Sequence, residues 1–189
     1  DDVESRGLGD VYKRQYYDNT YVFNSEPGVY FGAGSPNKNG DLNKDNEQAA
    51  LEYEQELHQN LWPFKGALCS LTTSEEGGFW KKFKGESKIL NGSRFAVLNS
   101  VEFTEDLKKE LLESDKNTTL AEAFIEYGGC PSLSQKITLF GQTYEGFDVI
   151  DKLTSLEITD SEDGTKIPVE DIMIETIKIG TYSSKSDLK

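Results

Sequence analysis

Short apolar runs separated by turn-forming residues dominate the chain. Residues 20–23 and 29–31 are β-branched and aromatic, and Pro27 and Gly28 between them favour a turn. These two runs therefore predict a pair of adjacent strands. Further runs of strand length cover 66–71, 94–98 and 137–140. Short strands joined by turns predict a mainly β, antiparallel fold of the barrel or sandwich type.

Three segments have the periodicity of short helices. Thr104 precedes an acidic first turn and predicts a helix start, and Thr119 with Glu122 forms a capping-box pattern. The second helix is predicted to have an apolar face formed by Leu120, Ala123, Phe124 and Tyr127. A third helix is predicted over residues 147–153, where apolar positions recur at helical spacing.

The last strand is predicted from isoleucines near the end of the chain. Ile172 and Ile174 share one phase of alternation, whereas Ile177 and Ile179 share the opposite phase. A bulge near residues 175–176 would explain this change of phase. We expect this segment to form a closing strand of the sheet.

The length of 189 residues is typical of one domain. We interpret residues 1–15 as lying outside it, because Asp10–Gln15 reads DVYKRQ, the translation of the transposase adapter sequence GATGTGTATAAGAGACAG. The alternative is an ordinary polar, disordered tail. The remaining boundaries are a domain at 16–182, polar insertions at about 72–90 and 103–127, and a polar tail at 183–189.

Charge and composition restrict the partners. The chain has 34 acidic and 20 basic residues and a net charge of -14, so nucleic acid is not expected to bind. No apolar run approaches the ~20 residues that a membrane span needs. Cys69 and Cys130 lack metal-ligand spacing and are expected to be reduced. We expect a monomer without a cofactor. A location in the cell envelope or outside the cell would need a signal sequence upstream.

One loop partly matches a calcium-binding pattern. Its acidic and amide residues stand at positions 1, 3, 5 and 12 of the motif and are Asp41, Asn43, Asp45 and Glu52. Asn46 occupies the position that usually holds glycine, and no helix is predicted before Asp41. Such partial motifs are more often solvated acidic loops, so no metal is assigned.

Several motifs occur in a fixed order between residues 16 and 180. YYDNT lies at Tyr16–Thr20, NGSRFA lies at Asn91–Ala96, and GGCP lies at Gly128–Pro131. The other segments are Pro27–Pro36, Glu56–Leu61, Gly66–Leu71, Phe140–Gly141 and Glu145–Asp151. Together they resemble the bacterial-type cyclophilin family of peptidyl-prolyl cis-trans isomerases, most specifically in the run from Gly128 to Asp151.

The resemblance implies a closed antiparallel β-barrel capped by helices. In the family, the first two strands and the first helix precede the motif that is similar to Tyr16–Thr20. This chain is therefore expected to form an incomplete barrel that lacks these elements and has open edges, with extra short helices in the insertions.

The resemblance also implies an isomerase that acts on X–Pro bonds during protein folding, with proline-containing peptides or protein clients as partners. Catalysis needs an apolar pocket for the proline ring and a donor to the prolyl nitrogen, which an arginine supplies in the family. Asn24 aligns with that arginine. The aligned groove positions are Val29, Tyr30, Gly32, Leu71, Thr72, Arg94, Ala96, Leu133 and Ile137. Since Leu133 is the pocket residue that is retained, we expect a degraded site with weak or no catalysis.

Two alternatives stay open. Arg94 could restore a cation from the opposite wall of the groove, or it could be a surface or ion-paired arginine. The chain could also be a non-catalytic module that binds proline peptides or proteins. Such a module would use the groove or the aromatic insertion at Phe79, Trp80 and Phe83, although these aromatics could equally form a local core beneath a loop.

Overall fold

The computed structural model describes residues 16–41, 52–72, 90–114, 118–162, 164–178 and 180. Its strands are β1 Thr20–Glu26, β2 Tyr30–Ser35, β3 Tyr53–Glu54, β4 Ala67–Thr72, β5 Leu90–Leu98, β6 Leu139–Gln142, β7 Ile158–Asp160, β8 Lys166–Pro168 and β9 Met173–Ile174. Its helices are α1 Glu105–Ser114, α2 Thr118–Tyr127 and α3 Phe147–Leu153, with a 3₁₀ turn at Pro131–Leu133.

One antiparallel sheet contains most of these strands. Its order is β6-β4-β5-β2-β1-β9, and β3 pairs with β5 beside this path. Strands β7 and β8 form a separate hairpin. Within the described part of the chain, β6 and β9 lie at opposite ends and do not pair, so the sheet is open. The mainly β, antiparallel fold class is therefore confirmed, in the incomplete form that was predicted.

The first hairpin contains a bulge that shapes the candidate site. Its turn is the predicted one, and the N–H of Val29 donates to the carbonyl of Glu26 at 2.9 Å. Val22 pairs with Ala33 and Asn24 pairs with Gly32, so Phe23 is an extra residue on β1. Because of the bulge, the side chains of Phe23 and Asn24 both lie on the face of the sheet towards which a Cβ on Gly32 would point.

Apolar residues cover both faces of the sheet. One buried cluster, which we call the groove cluster, contains Phe23, Tyr30, Ala67, Cys69, Leu71, Ala96, Leu98, Cys130, Leu133 and Ile137. The second contains Val22, Phe31, Ala33, Val97 and Ile150. Neighbours along β2 and β5 alternate between the two clusters, as successive strand residues must. Helix α3 covers the second face through Ile150.

Helix α1 begins directly after its predicted cap, whereas α2 begins at Thr118, so Thr119 lies inside the helix and the prediction that it is the cap is wrong. The hydroxyl of Thr104 accepts a hydrogen bond from the N–H of Leu107 at 3.3 Å, as a cap should.

The buried face of α2 also differs from the prediction. Helix α2 buries Ala121 and Phe124, whereas Tyr127 is 62% exposed. The buried stripe is centred on Phe124 because its ring packs against that of Phe64, with centroids 4.6 Å apart.

The predicted closing strand is shorter than expected. Strand β9 ends at Ile174, which pairs with Thr20 at the start of β1. Residues 175–178 are not a strand, because β1 offers no further pairing positions before Thr20. Asn19 adopts φ +62° and donates to the carbonyl of Ile174, and the Asp18 carboxylate accepts from the N–H of Ile177.

Candidate functional site

Most predicted groove residues lie together on one face of the sheet. Tyr30, Leu71, Ala96, Leu133 and Ile137 belong to the groove cluster, and Val29 packs against it. They come from β2, β4, β5, the 3₁₀ turn and the segment before β6. The fold thus brings together residues that are far apart in sequence, although their role in binding stays a prediction.

The groove cluster is tightly covered. Its members expose between 0% and 7% of their surface, so they form a filled apolar floor. The Phe23 ring contributes to this filling, because its Cζ atom would lie 3.2 Å from a Cβ on Gly32. The lack of a side chain at Gly32 leaves room for this ring. Sequence reasoning missed Phe23 as a site residue, since the bulge in β1 breaks simple alternation.

Asn24 lies beside Gly32 on the same face. Its Cβ is 3.5 Å from the position that a Cβ on Gly32 would occupy. Its Oδ1 atom is buried and has no hydrogen-bond partner among the described residues. Leaving a buried amide oxygen without a hydrogen-bond partner lowers the stability of the fold by about 1–3 kcal/mol. Such oxygens are uncommon at positions that serve only the structure.

Arg94 points to the same face and is half-buried. Nη1 donates to the carbonyl of Gly40 at 2.6 Å, and Nη2 donates to the carbonyl of Thr72 at 2.7 Å. Its Cζ lies 5.7 Å from the ring centroid of Phe23. Burial lowers the pKa of Arg94, and the nearby charge of Asp41 opposes this shift. Among the described residues, backbone carbonyls and an aromatic ring form the contacts of this side chain, and both interpretations of Arg94 from the sequence stay predictions.

Gly40 is a second residue that sequence reasoning missed. It adopts φ +83°, and a Cβ there would lie 2.4 Å from Cδ2 of Phe23. Its carbonyl also holds Arg94. The loop before Asp41 therefore packs directly against the Phe23 ring. The many turn-forming residues of this loop were the sequence feature that could have indicated such a close approach.

Thr138 holds the segment that follows Ile137. Its hydroxyl oxygen accepts hydrogen bonds from Nδ2 of Asn91 at 2.8 Å and from the N–H of Glu56 at 3.0 Å. Its carbonyl accepts from the N–H of Ser70 at 3.0 Å. These bonds connect β4, β5 and the segment after β3 at the border of the groove cluster.

Part of the predicted chemistry lies outside the described residues. This applies to Phe79, Trp80 and Phe83 of the insertion and to Asn43 and Asp45 of the calcium pattern. Asp41 and Glu52 are described, and the Asp41 carboxylate accepts a hydrogen bond from Nδ2 of Asn39. The described residues contain no group of three or more His, Cys, Asp or Glu side chains placed to hold a metal ion. They also contain no helix long and apolar enough to span a membrane.

Comparison with known proteins gives consistent matches. A family model described as cyclophilin type peptidyl-prolyl cis-trans isomerase/CLD matches residues 6–179. A Staphylococcus saprophyticus protein, provisionally named a peptidyl-prolyl cis-trans isomerase, is 32% identical over 89 residues, or 47% of this chain and 43% of the relative. A Streptococcus pyogenes protein, provisionally named a bifunctional phosphatase/peptidyl-prolyl cis-trans isomerase, is 28% identical over 88% of this chain and 32% of its own length. The matches thus span less than half the length of these relatives.

The fold is also similar to solved structures. A Cryptosporidium parvum cyclophilin type peptidyl-prolyl cis-trans isomerase, crystallised in the presence of the dipeptide Ala-Pro, superimposes with a TM-score of 0.52 at 18% identity. The similarity covers 88% of this chain and 78% of that chain. At this level of identity the comparison supports the fold.

Proposed function

Because the chain belongs to the cyclophilin-type peptidyl-prolyl cis-trans isomerase family, we propose that it binds proline-containing segments of proteins and accelerates their isomerisation weakly or not at all. The binding surface is the face of the sheet that carries the groove cluster. The observation that carries this proposal is Asn24, which aligns with the family's catalytic arginine and stands beside Gly32 with a buried Oδ1 that no described residue contacts by a hydrogen bond.

The chemistry explains why this position matters. Rotation about an X–Pro bond faces a barrier of about 18–20 kcal/mol that amide resonance sets. A donor aimed at the prolyl nitrogen lowers this barrier, because the nitrogen gains basicity as it pyramidalises. A short neutral amide such as that of Asn24 donates a weaker hydrogen bond than a guanidinium. Binding can therefore persist where acceleration is largely lost.

The contacts of Arg94 argue against a complete rescue of catalysis. The side chain is held by the carbonyls of Gly40 and Thr72 and lies over Phe23. Moving its guanidinium to a prolyl nitrogen would break two charge-assisted hydrogen bonds. Each such bond contributes about 1.5–3 kcal/mol.

The packing of the groove cluster favours a shallow binding surface. Tyr30, Leu133 and Ile137 are almost fully covered by their neighbours, whereas Val29 is half-buried at the margin. A proline ring would contact Val29 and the edge of this cluster. This packing is also compatible with the alternative of a non-catalytic binding module, which is the limit of our proposal in which no acceleration remains.

Fluorescence anisotropy with a labelled Ala-Ala-Pro-Phe peptide tests the proposal, and the matched control is Ala-Ala-Ala-Phe. We expect saturable binding of the proline peptide and markedly weaker binding of the control. Equal binding of both peptides, or binding of neither, would refute a proline-recognition function.

A further inference from the structure

The guanidinium of Arg94 is a half-buried cation with spare hydrogen-bonding capacity. A guanidinium carries five N–H donors. Nη1 and Nη2 each donate one bond to a backbone carbonyl. The other N–H groups donate to no acceptor among the described residues. A planar guanidinium with spare donors on more than one nitrogen fits the two oxygens of a carboxylate.

No carboxylate of the described residues lies within ion-pairing distance of Arg94. Every ion pair in this part of the chain is formed by a lysine. The nearby Asp41 carboxylate instead accepts a hydrogen bond from Asn39. The acidic residues of the described part of the chain thus leave the guanidinium to backbone carbonyls.

The surroundings also fix the guanidinium in place. The two carbonyls hold Nη1 and Nη2, and the centroid of the Phe23 ring lies 5.7 Å from Cζ. A preorganised group loses little conformational entropy when a ligand binds. Burial lowers the pKa of Arg94, so an anion that favours the charged form would remove part of this penalty.

The same residue belongs to the proposed binding face. Ala96 lies two residues further along β5, on the same side of the strand, and is part of the groove cluster. Phe23, which supports the guanidinium, is a member of that cluster as well. A peptide that packs on the groove cluster would therefore pass close to Arg94.

We propose that Arg94 is a specificity-determining residue, which makes the groove prefer peptides that carry an acidic side chain within two residues before the proline. This inference rests on the proposed function and names its substrate class. The guanidinium binds the carboxylate of the peptide, while the apolar face of the groove cluster contacts the proline.

Anisotropy titrations of the 189-residue chain test this preference with matched peptides. Ala-Glu-Pro-Phe is compared with Ala-Gln-Pro-Phe, and Glu-Ala-Pro-Phe is compared with Gln-Ala-Pro-Phe. We expect a glutamate peptide of at least one pair to bind about fivefold more tightly than its glutamine partner. The preference should shrink as NaCl is raised, because salt screens a partly exposed pair.

Substitutions of Arg94 test whether this residue causes the preference for glutamate peptides. Arg94→Gln should equalise the two peptides, and Arg94→Lys should retain part of the preference because the charge remains. Lys152→Gln is the matched control, since it removes one positive charge from an exposed pair with Asp148 on α3. We expect this control to keep the preference of the unmodified chain.

The outcomes separate this inference from the proposed function. If glutamate and glutamine peptides bind equally well to the unmodified chain, the acidic preference is refuted and proline binding stands. A preference that survives in folded Arg94→Gln also refutes the role of Arg94. If no proline peptide binds, both proposals fail together.

Discussion

The guanidinium of Arg94 lies over the ring of Phe23, with its Cζ 5.7 Å from the ring centroid. This contact joins β5 to the bulge of β1. Gly40, in the loop after β2, accepts a hydrogen bond from the same guanidinium through its carbonyl. Cation–π contacts contribute about 0.5–2 kcal/mol, depending on how far they are desolvated. The contact therefore links the packing of the groove cluster to the position of the Arg94 cation.

Replacing Phe23 by alanine should destabilise the fold strongly. Its side chain is 6% exposed, and truncation of a buried phenylalanine typically costs about 3–5 kcal/mol. The matched control is Phe140→Ala, because Phe140 is 55% exposed on β6. Urea unfolding of both variants measures the difference. Similar losses of unfolding free energy in the two variants would contradict the burial of Phe23 in the groove cluster.

Replacing Gly40 by alanine should cost more than its backbone conformation alone explains. The new Cβ would lie 2.4 Å from Cδ2 of Phe23, so the ring or the loop must move. Gly164→Ala is the control, since Gly164 has nearly the same φ, +82°, and a Cβ there would meet no described atom within 4 Å. The free energy of unfolding should fall by about 1–2 kcal/mol in the control, because alanine is strained in a left-handed backbone conformation. It should fall further in Gly40→Ala. Equal losses in thermal unfolding would argue against contact between Gly40 and Phe23.

Stability should fall at alkaline pH because two thiols are buried. Burial raises the pKa of Cys130 to about 11 and that of Cys69 to about 12, from 9.0. The folded state thus prefers the neutral thiols. Their contribution is complete below pH 9, decreases as the unfolded thiols ionise, and is lost as the pH rises through the folded values.

Urea unfolding under reducing conditions between about pH 8 and pH 11 would measure this decrease, with Cys130→Ala as the comparison. The variant should show a smaller decrease, because it lacks one of the two thiols. An identical pH dependence in both proteins would show that Cys130 does not contribute.

Local patterns were sufficient to predict much of the fold. The turn at Pro27 and Gly28 and the apolar runs around it correctly placed the hairpin of β1 and β2. The predicted third helix coincides with α3, because its periodicity is a local feature. The order of motifs gave the family, which the match over residues 6–179 confirms.

Features that depend on contacts between distant segments were not predictable in the same way. The bulge that turns Phe23 towards the groove cluster depends on the pairing between Asn24 and Gly32. The carbonyls that hold Arg94 come from residues 54 and 22 positions away. Strand β9 ends at Ile174 because its partner β1 begins at Thr20, which the alternation of isoleucines could not reveal.

The most direct test of the central claim is a protease-coupled proline isomerisation assay at a protein concentration that saturates peptide binding. The claim is that Asn24, standing where the family has arginine, leaves a groove that binds proline peptides and hardly accelerates their isomerisation. We predict a rate constant close to the uncatalysed one for the unmodified chain, and a higher rate for folded Asn24→Arg. A rate that rises steeply with the concentration of the unmodified chain, and that Asn24→Arg does not increase, would contradict the account.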